Sequence, residues 1–224
     1  MLFSEPLALL KYNLKHLELF TSDHTIMGDA YGLVTGSAGF FGAETSREAF
    51  LKLVLPKLLR GQNEWQRETS DKKAKSVGAW LEGTFSYLIV ELKNERGLGG
   101  DPFLRGLVTY GKVIAQKEVL SRIVPNPTIA PPLSHIIQYV AYLQRSNFPA
   151  ILLSFAGNRL VVSTAIFTDA VYAEALLSIT LHLGPHRPDN VLQAARMFMA
   201  INESMGQLHQ LYQDLLRAYS PSSQ

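Results

Sequence analysis

The chain contains no cysteine. That excludes disulfides, thiolate nucleophiles, and zinc or iron–sulfur sites built on Cys ligands. It also lacks a dominant charge: 21 Lys and Arg stand against 19 Asp and Glu, for a formal net charge of +2. A balance this mild does not announce nucleic acid or a membrane surface by itself. No uninterrupted apolar run reaches about 18 residues, so no transmembrane helix and no membrane partner are expected. The N-terminal stretch carries Glu5, Lys11, Lys15 and His16 within its apolar pattern, which is not a signal-peptide layout. An intracellular protein, cytoplasmic or nuclear, is the expectation. Gly36, Gly39 and Gly42 are not followed by Gly-Lys-Ser or Gly-Lys-Thr, so no Walker loop is indicated. No nucleophile elbow and no internal repeat occur.

What is present is a chain of 224 residues, 47% hydrophobic, long enough to bury a sizeable core in one domain. The domain is expected over 1–219, with 44–217 as its core, 1–43 as an N-terminal extension and 220–224 as a frayed tail. Leu7, Leu10, Leu14 and Leu17 recur at helical spacing behind Ser4 and Pro6. Five glycines between Gly28 and Gly42 predict turns and short strands over 26–42. Ser46 precedes a second helical pattern, Phe50, Leu51, Val54, Leu55 and Leu58, with Pro56 predicted to bend it. Residues 60–76 are almost wholly polar and read as a loop.

Two strands follow, 75–81 and 86–93, joined by a short turn at 82–84. Asp101-Pro102 predicts a helix start, running to about residue 123. A proline cluster at 125–132 reads as a crossover loop before a helix at 134–146. A second hairpin is expected from 149–156 and 160–167, then helices near 170–182 and over 190–217. The pattern is mixed α/β: a mixed sheet flanked by helices.

The stretch Ser86–Glu95 carries the most chemistry. In a strand, Glu91 and Lys93 share a face roughly 6–7 Å apart. A charged pair at the end of a buried strand is costly unless paired or functional. A carboxylate beside an ammonium suits metal-dependent phosphodiester cleavage: the Glu holds Mg²⁺ and the Lys orients water or stabilises developing charge.

The series Glu91-Leu-Lys-Asn-Glu95, Gly97-Leu-Gly-Gly-Asp101-Pro102, Phe155-Ala-Gly157 and Phe167-Thr-Asp169 resembles the PD-(D/E)XK nuclease superfamily. More narrowly, it resembles the nuclease-like domain of fungal Crinkler-type and kinase-associated proteins, over roughly 44–217. The resemblance implies a restriction-endonuclease-like core with extra helices at both termini, DNA rather than RNA as partner, and a Mg²⁺ cofactor. It implies Glu91 as metal ligand, Lys93 as catalytic lysine, Tyr110 as the helix tyrosine, and Arg105 where the family often has Gln. Glu95 and Asp101 are nearby acids. Glu48 is the candidate upstream acid on the second helix, and Lys72, Lys73 and Lys75 are candidates to track a phosphate backbone.

The metal-binding Asp of such enzymes has no evident counterpart. Antiparallel partners keep constant index sums, so a turn at 82–84 places Ala74, Lys75 or Ser76 opposite Glu91, and none is acidic. Asp71 lies further back and needs a bulge to reach the site. The leading expectation is therefore a nucleic-acid-binding pseudoenzyme with a degenerate metal site. The rivals are an active Mg²⁺-dependent endonuclease using a displaced acid, and an interaction module or homo-oligomer formed through Met205, Leu208, Leu211, Tyr212 and Leu215 of the terminal helix.

Overall fold

The computed structural model describes residues 4–39, 41–65, 77–83, 85–93, 101–114, 146–182 and 189–219. Among them are five α-helices and one six-stranded sheet, so the mixed α/β expectation holds. The elements are α1 (Glu5–Lys15), α2 (His24–Ser37), α3 (Glu44–Leu58), β1 (Asn63–Trp65), β2 (Gly78–Glu82), β3 (Phe85–Lys93), α4 (Pro102–Ile114), β4 (Ala150–Ala156), β5 (Arg159–Phe167), β6 (Val171–Thr180) and α5 (Asp189–Tyr219). The strands lie in chain order. Every neighbouring pair is antiparallel except the central one, where β3 runs parallel to β4. A parallel pair needs a crossover, and α4 lies on it, packed on β3 and β4.

The strands at the centre form because they are apolar throughout: Leu88, Ile89, Val90 and Leu92 in β3, and Ile151, Leu152 and Leu153 in β4, are all buried. One hydrophobic cluster runs from Leu7 to Leu215, so α1 and α2 belong to the same core as the sheet. Phe85 stacks on Tyr212 of α5 at 5.0 Å, and the Tyr212 hydroxyl donates to the Pro149 carbonyl at 2.9 Å. Met205, Leu208, Tyr212 and Leu215 are buried in this core, so the apolar face of α5 is covered by its own chain. Among the described residues no helix is long and apolar enough to cross a membrane.

Three expectations need correction. Residues 26–42 are not turns and short strands: α2 covers most of them. Gly28, Gly32 and Gly36 each weaken a helix by roughly 1 kcal/mol. The Asp23 carboxylate accepts from the Ile26 amide at 2.9 Å as an N-cap. Ala30, Leu33 and Val34 are fully buried, with α2 packed on α3 and α5, and that burial outweighs propensity. Gly36 has a packing reason: a Cβ there would overlap the Phe50 ring. Gly36→Ala should therefore destabilise by about 1–3 kcal/mol, whereas Gly32→Ala, with nothing within 4 Å of its Cβ, should stabilise. Urea midpoints of the two variants check this, and equal shifts would refute the close contact.

The second correction is β6, expected as a helix over 170–182. Ala173, Glu174, Ala175, Leu176 and Leu177 are good helix formers. However, the Thr168 amide donates to the Ala170 carbonyl at 3.2 Å, and this turn lays the chain back along all nine residues of β5. Strand pairing overrides local propensity here. The third is β1, three residues inside the expected polar loop, which pairs with β2 through Trp65↔Gly78. Trp65 meets Trp80 edge-on at 5.8 Å, and that contact gives a short polar segment its place on the sheet edge. The proline cluster and the expected helix at 134–146, except its last residue, lie outside the described residues.

Candidate functional site

The site forms at the carboxyl ends of β3 and β4, the one parallel pair. Glu91 pairs with Ser154 and Lys93 with Ala156. Asp101 accepts from the Phe103 amide at 2.8 Å and so opens α4, as Asp-Pro predicts. The helix crosses close above the strands at Gly106. A Cβ there would sit 3.6 Å from Glu91 Cγ and 3.9 Å from Ser154 Oγ.

Glu91 is 1% exposed. Its Oε1 accepts from Thr109 Oγ1 at 2.8 Å, and its Oε2 has no hydrogen-bond partner. The buried Ser154 Oγ beside it also has none. Burial raises the Glu91 carboxyl from 4.5 to about 7; Thr109 and the cations Arg105 and Lys93 oppose that rise, and Glu44 adds to it.

The cations belong to a four-membered cluster. Lys93 Nζ lies 3.3 Å from Glu44 Oε2. Arg105 reaches both acids: Nε is 3.9 Å from Glu91 Oε2 and Nη1 is 4.0 Å from Glu44 Oε1. These two distances are ion-pair contacts, too long for hydrogen bonds. Arg105 is 39% exposed at the rim.

Glu91, Lys93 and Arg105 therefore come together. Glu48 instead pairs with Lys52 at 2.8 Å, one turn along its own helix. The acid that α3 brings to Lys93 is Glu44, four residues earlier on the same helix face. Tyr110 does not join the cluster: its hydroxyl donates to the Phe148 carbonyl at 2.5 Å, deep in the core. Asp101 serves as the cap of α4. Asp71, Lys72, Lys73, Lys75 and Glu95 lie outside the described residues.

The hairpin register also differs from expectation. Glu82 pairs with Phe85 and Leu81 with Ser86, but Trp80 pairs with Leu88. A bulge at Tyr87 inserts one residue and shifts the index sum by one. The ladder is described as far as Gly78 opposite Val90; Ala74, Lys75 and Ser76, expected opposite Glu91, lie outside the described residues. The Val77 amide donates to the Val90 carbonyl at 3.1 Å, so Val77 and Gly78 both lie against Val90.

A Mg²⁺ ion needs several oxygens at about 2.1 Å. The described residues offer one unengaged carboxylate oxygen, Glu91 Oε2, with Arg105 facing it. Ser154, paired with Glu91 on β4, supplies no charge, and Glu44 is engaged by two cations. No group of three His, Asp or Glu side chains among the described residues is placed to hold a metal. This donor set does not fit the ion.

Two members had a readable signal. Thr109 follows Arg105 by four residues on α4, hence on one face. Glu44 precedes Glu48 by one turn, but the helix start is set at Ala43, not at Ser46. Ser154 had no signal short of knowing which strand lies beside β3. Comparison with protein-family models, with curated proteins and with solved structures yields no match.

Proposed function

We propose that this chain is a nuclease-like nucleic-acid-binding protein, in which the cluster around Glu91 and Lys93 meets the phosphate backbone and metal-dependent cleavage is weak or lost. One observation carries the reading. Arg105 spans Glu91 and Glu44, so a fixed guanidinium stands where an active enzyme would need a divalent ion. An incoming phosphate can replace the half-exposed Glu44 on Arg105 and Lys93. It would form charge-assisted hydrogen bonds in place of contacts of 3.3–4.0 Å. Lys72, Lys73 and Lys75 would extend the footprint. DNA is the preferred partner in this reading, and an intracellular location, cytoplasmic or nuclear, goes with it.

The test is binding of short duplex DNA, single-stranded DNA and RNA at several salt concentrations. Affinity should fall with salt, and Arg105→Gln and Lys93→Gln should each reduce the magnitude of the log–log slope by roughly 1. Affinity indifferent to salt, or to both substitutions, would end the proposal.

A second reading keeps an active Mg²⁺-dependent endonuclease, with Glu44 as the displaced acid. It is favoured by the shared contact of Glu44 and Glu91 with Arg105, which brings two carboxylates into one neighbourhood. Cleavage assays with Mg²⁺ and Mn²⁺ separate the two readings.

A further inference from the structure

Arg47 is a buried cation, 6% exposed, on the first turns of α3. Burial disfavours its charged form and pulls its pKa down, so the side chain occupies this position at a cost. Its guanidinium lies 4.5 Å above the centre of the Phe41 ring, and its Nη1 donates to the Gly157 carbonyl in the β4–β5 turn. Gly157 has φ +59, a conformation that suits glycine, and its own amide donates to the Lys93 carbonyl at 3.2 Å.

These contacts join into one path. Gly36 admits the Phe50 ring against α2. Phe50 packs on Phe41 at 5.7 Å. Phe41 supports Arg47, Arg47 holds Gly157, and Gly157 holds the backbone of Lys93. Glu44, whose carboxylate meets Lys93 Nζ at 3.3 Å, lies three residues before Arg47 and therefore on the same side of the helix.

We propose that Arg47 is a positioning residue: by pinning the first turns of α3 to the β4–β5 turn, it sets Glu44 against Lys93 and Arg105. This rests on the Glu91–Lys93 cluster being the working site. The geometry, however, can be tested without any nucleic acid. The planar fork also matters. A lysine at position 47 keeps the charge but cannot both lie flat on Phe41 and aim a second nitrogen at a carbonyl.

The experiment is a double-mutant cycle in urea with Arg47→Met and Lys93→Met, using Leu55→Ala as control. Leu55 is buried in the same helix two turns on, so its truncation destabilises α3 without touching Arg47. Lys93→Met should shift the midpoint in the native background and in Leu55→Ala, through loss of the Glu44 pair. In Arg47→Met that shift should vanish, because Glu44 is no longer held there. A direct repulsion between the two cations would instead make Lys93→Met more costly once Arg47 is gone.

Equal shifts in all three backgrounds would overturn the positioning role. So would a shift that vanishes equally in Leu55→Ala, which would mean that any loss of stability has the same effect. Arg47→Lys is the fallback where Arg47→Met fails to fold, with a reduced shift expected. A second readout is affinity for the oligonucleotide that the native chain binds: Arg47→Lys should weaken it about tenfold and Leu55→Ala should leave it unchanged. A Lys93→Met shift that vanishes only in Arg47→Met, with no oligonucleotide binding by any variant, the native chain included, would remove the functional reading and keep the positioning role.

Discussion

Glu91→Gln is expected to stabilise the chain at about pH 8 and to remove most of a stability loss that the native chain suffers between about pH 5 and pH 8. The folded carboxyl titrates at about 7, against 4.5 for an ordinary glutamate, with burial as the main cause. Between those values the native state holds a proton that the unfolded chain releases. Stability is therefore fully present below about pH 4.5 and falls until pH passes about 7, where Glu91 is charged in both states. A displacement from 4.5 to about 7 corresponds to about 3 kcal/mol over that window. Gln keeps the shape and still accepts from Thr109, but it carries no charge. Its amide can also serve the space at Oε2, which has no hydrogen-bond partner. Urea midpoints of both proteins across the pH range give the answer. A difference between them that does not change with pH would show that Glu91 is not the group that titrates.

The strands were legible wherever apolar residues ran on without interruption, as in Leu88–Val90 and Ile151–Leu153, because a central strand is buried on both faces. The α4 start was legible because Asp101-Pro102 is a cap followed by a residue that needs no amide partner. Legibility failed where a local preference was overridden from a distance. The glycines of α2 read as turns, since nothing local reveals that Phe50 will press against Gly36. The Ala- and Leu-rich stretch of β6 read as a helix, since its partner β5 is set by the turn at Thr168–Ala170.

The site shows the same division. Glu91 and Lys93 sharing a face follows from strand geometry alone, and their meeting with Arg105 follows from a helix crossing beside the strand that carries them. Glu44 was missed in favour of Glu48 by one helical turn, because Ala43 stands at the N-cap without a side-chain cap bond and so leaves no signature. The Tyr87 bulge was missed because nothing in its neighbourhood marks it. A single inserted residue changes the partners beyond it, as far as Gly78 opposite Val90.

The donor set around Glu91 sets the expectation for catalysis. Mg²⁺-dependent cleavage by the unmodified chain should stand near background. Hydrolysis by this route needs an ion to polarise the phosphate and activate water. Here Ser154, the strand partner of Glu91, supplies no charged oxygen, while the Arg105 cation repels a divalent ion from Glu91 Oε2 and Glu44 Oε1. Removing either fault alone leaves the other, so Ser154→Asp and Arg105→Gln should each have a small effect. Together they should raise Mn²⁺ affinity by at least about tenfold, because the number of charged ligands governs affinity for such ions. Isothermal titration with Mn²⁺ and a cleavage assay on duplex DNA measure the two consequences, with Glu91→Ala as the control for contaminating nuclease. No gain in the double variant would mean that position 154 does not stand closely enough to Glu91 to share an ion. Strong cleavage by the unmodified chain, abolished by Glu91→Ala, would mean that Arg105 yields to the metal and that Glu44 completes a working site, making the active-enzyme reading the correct one.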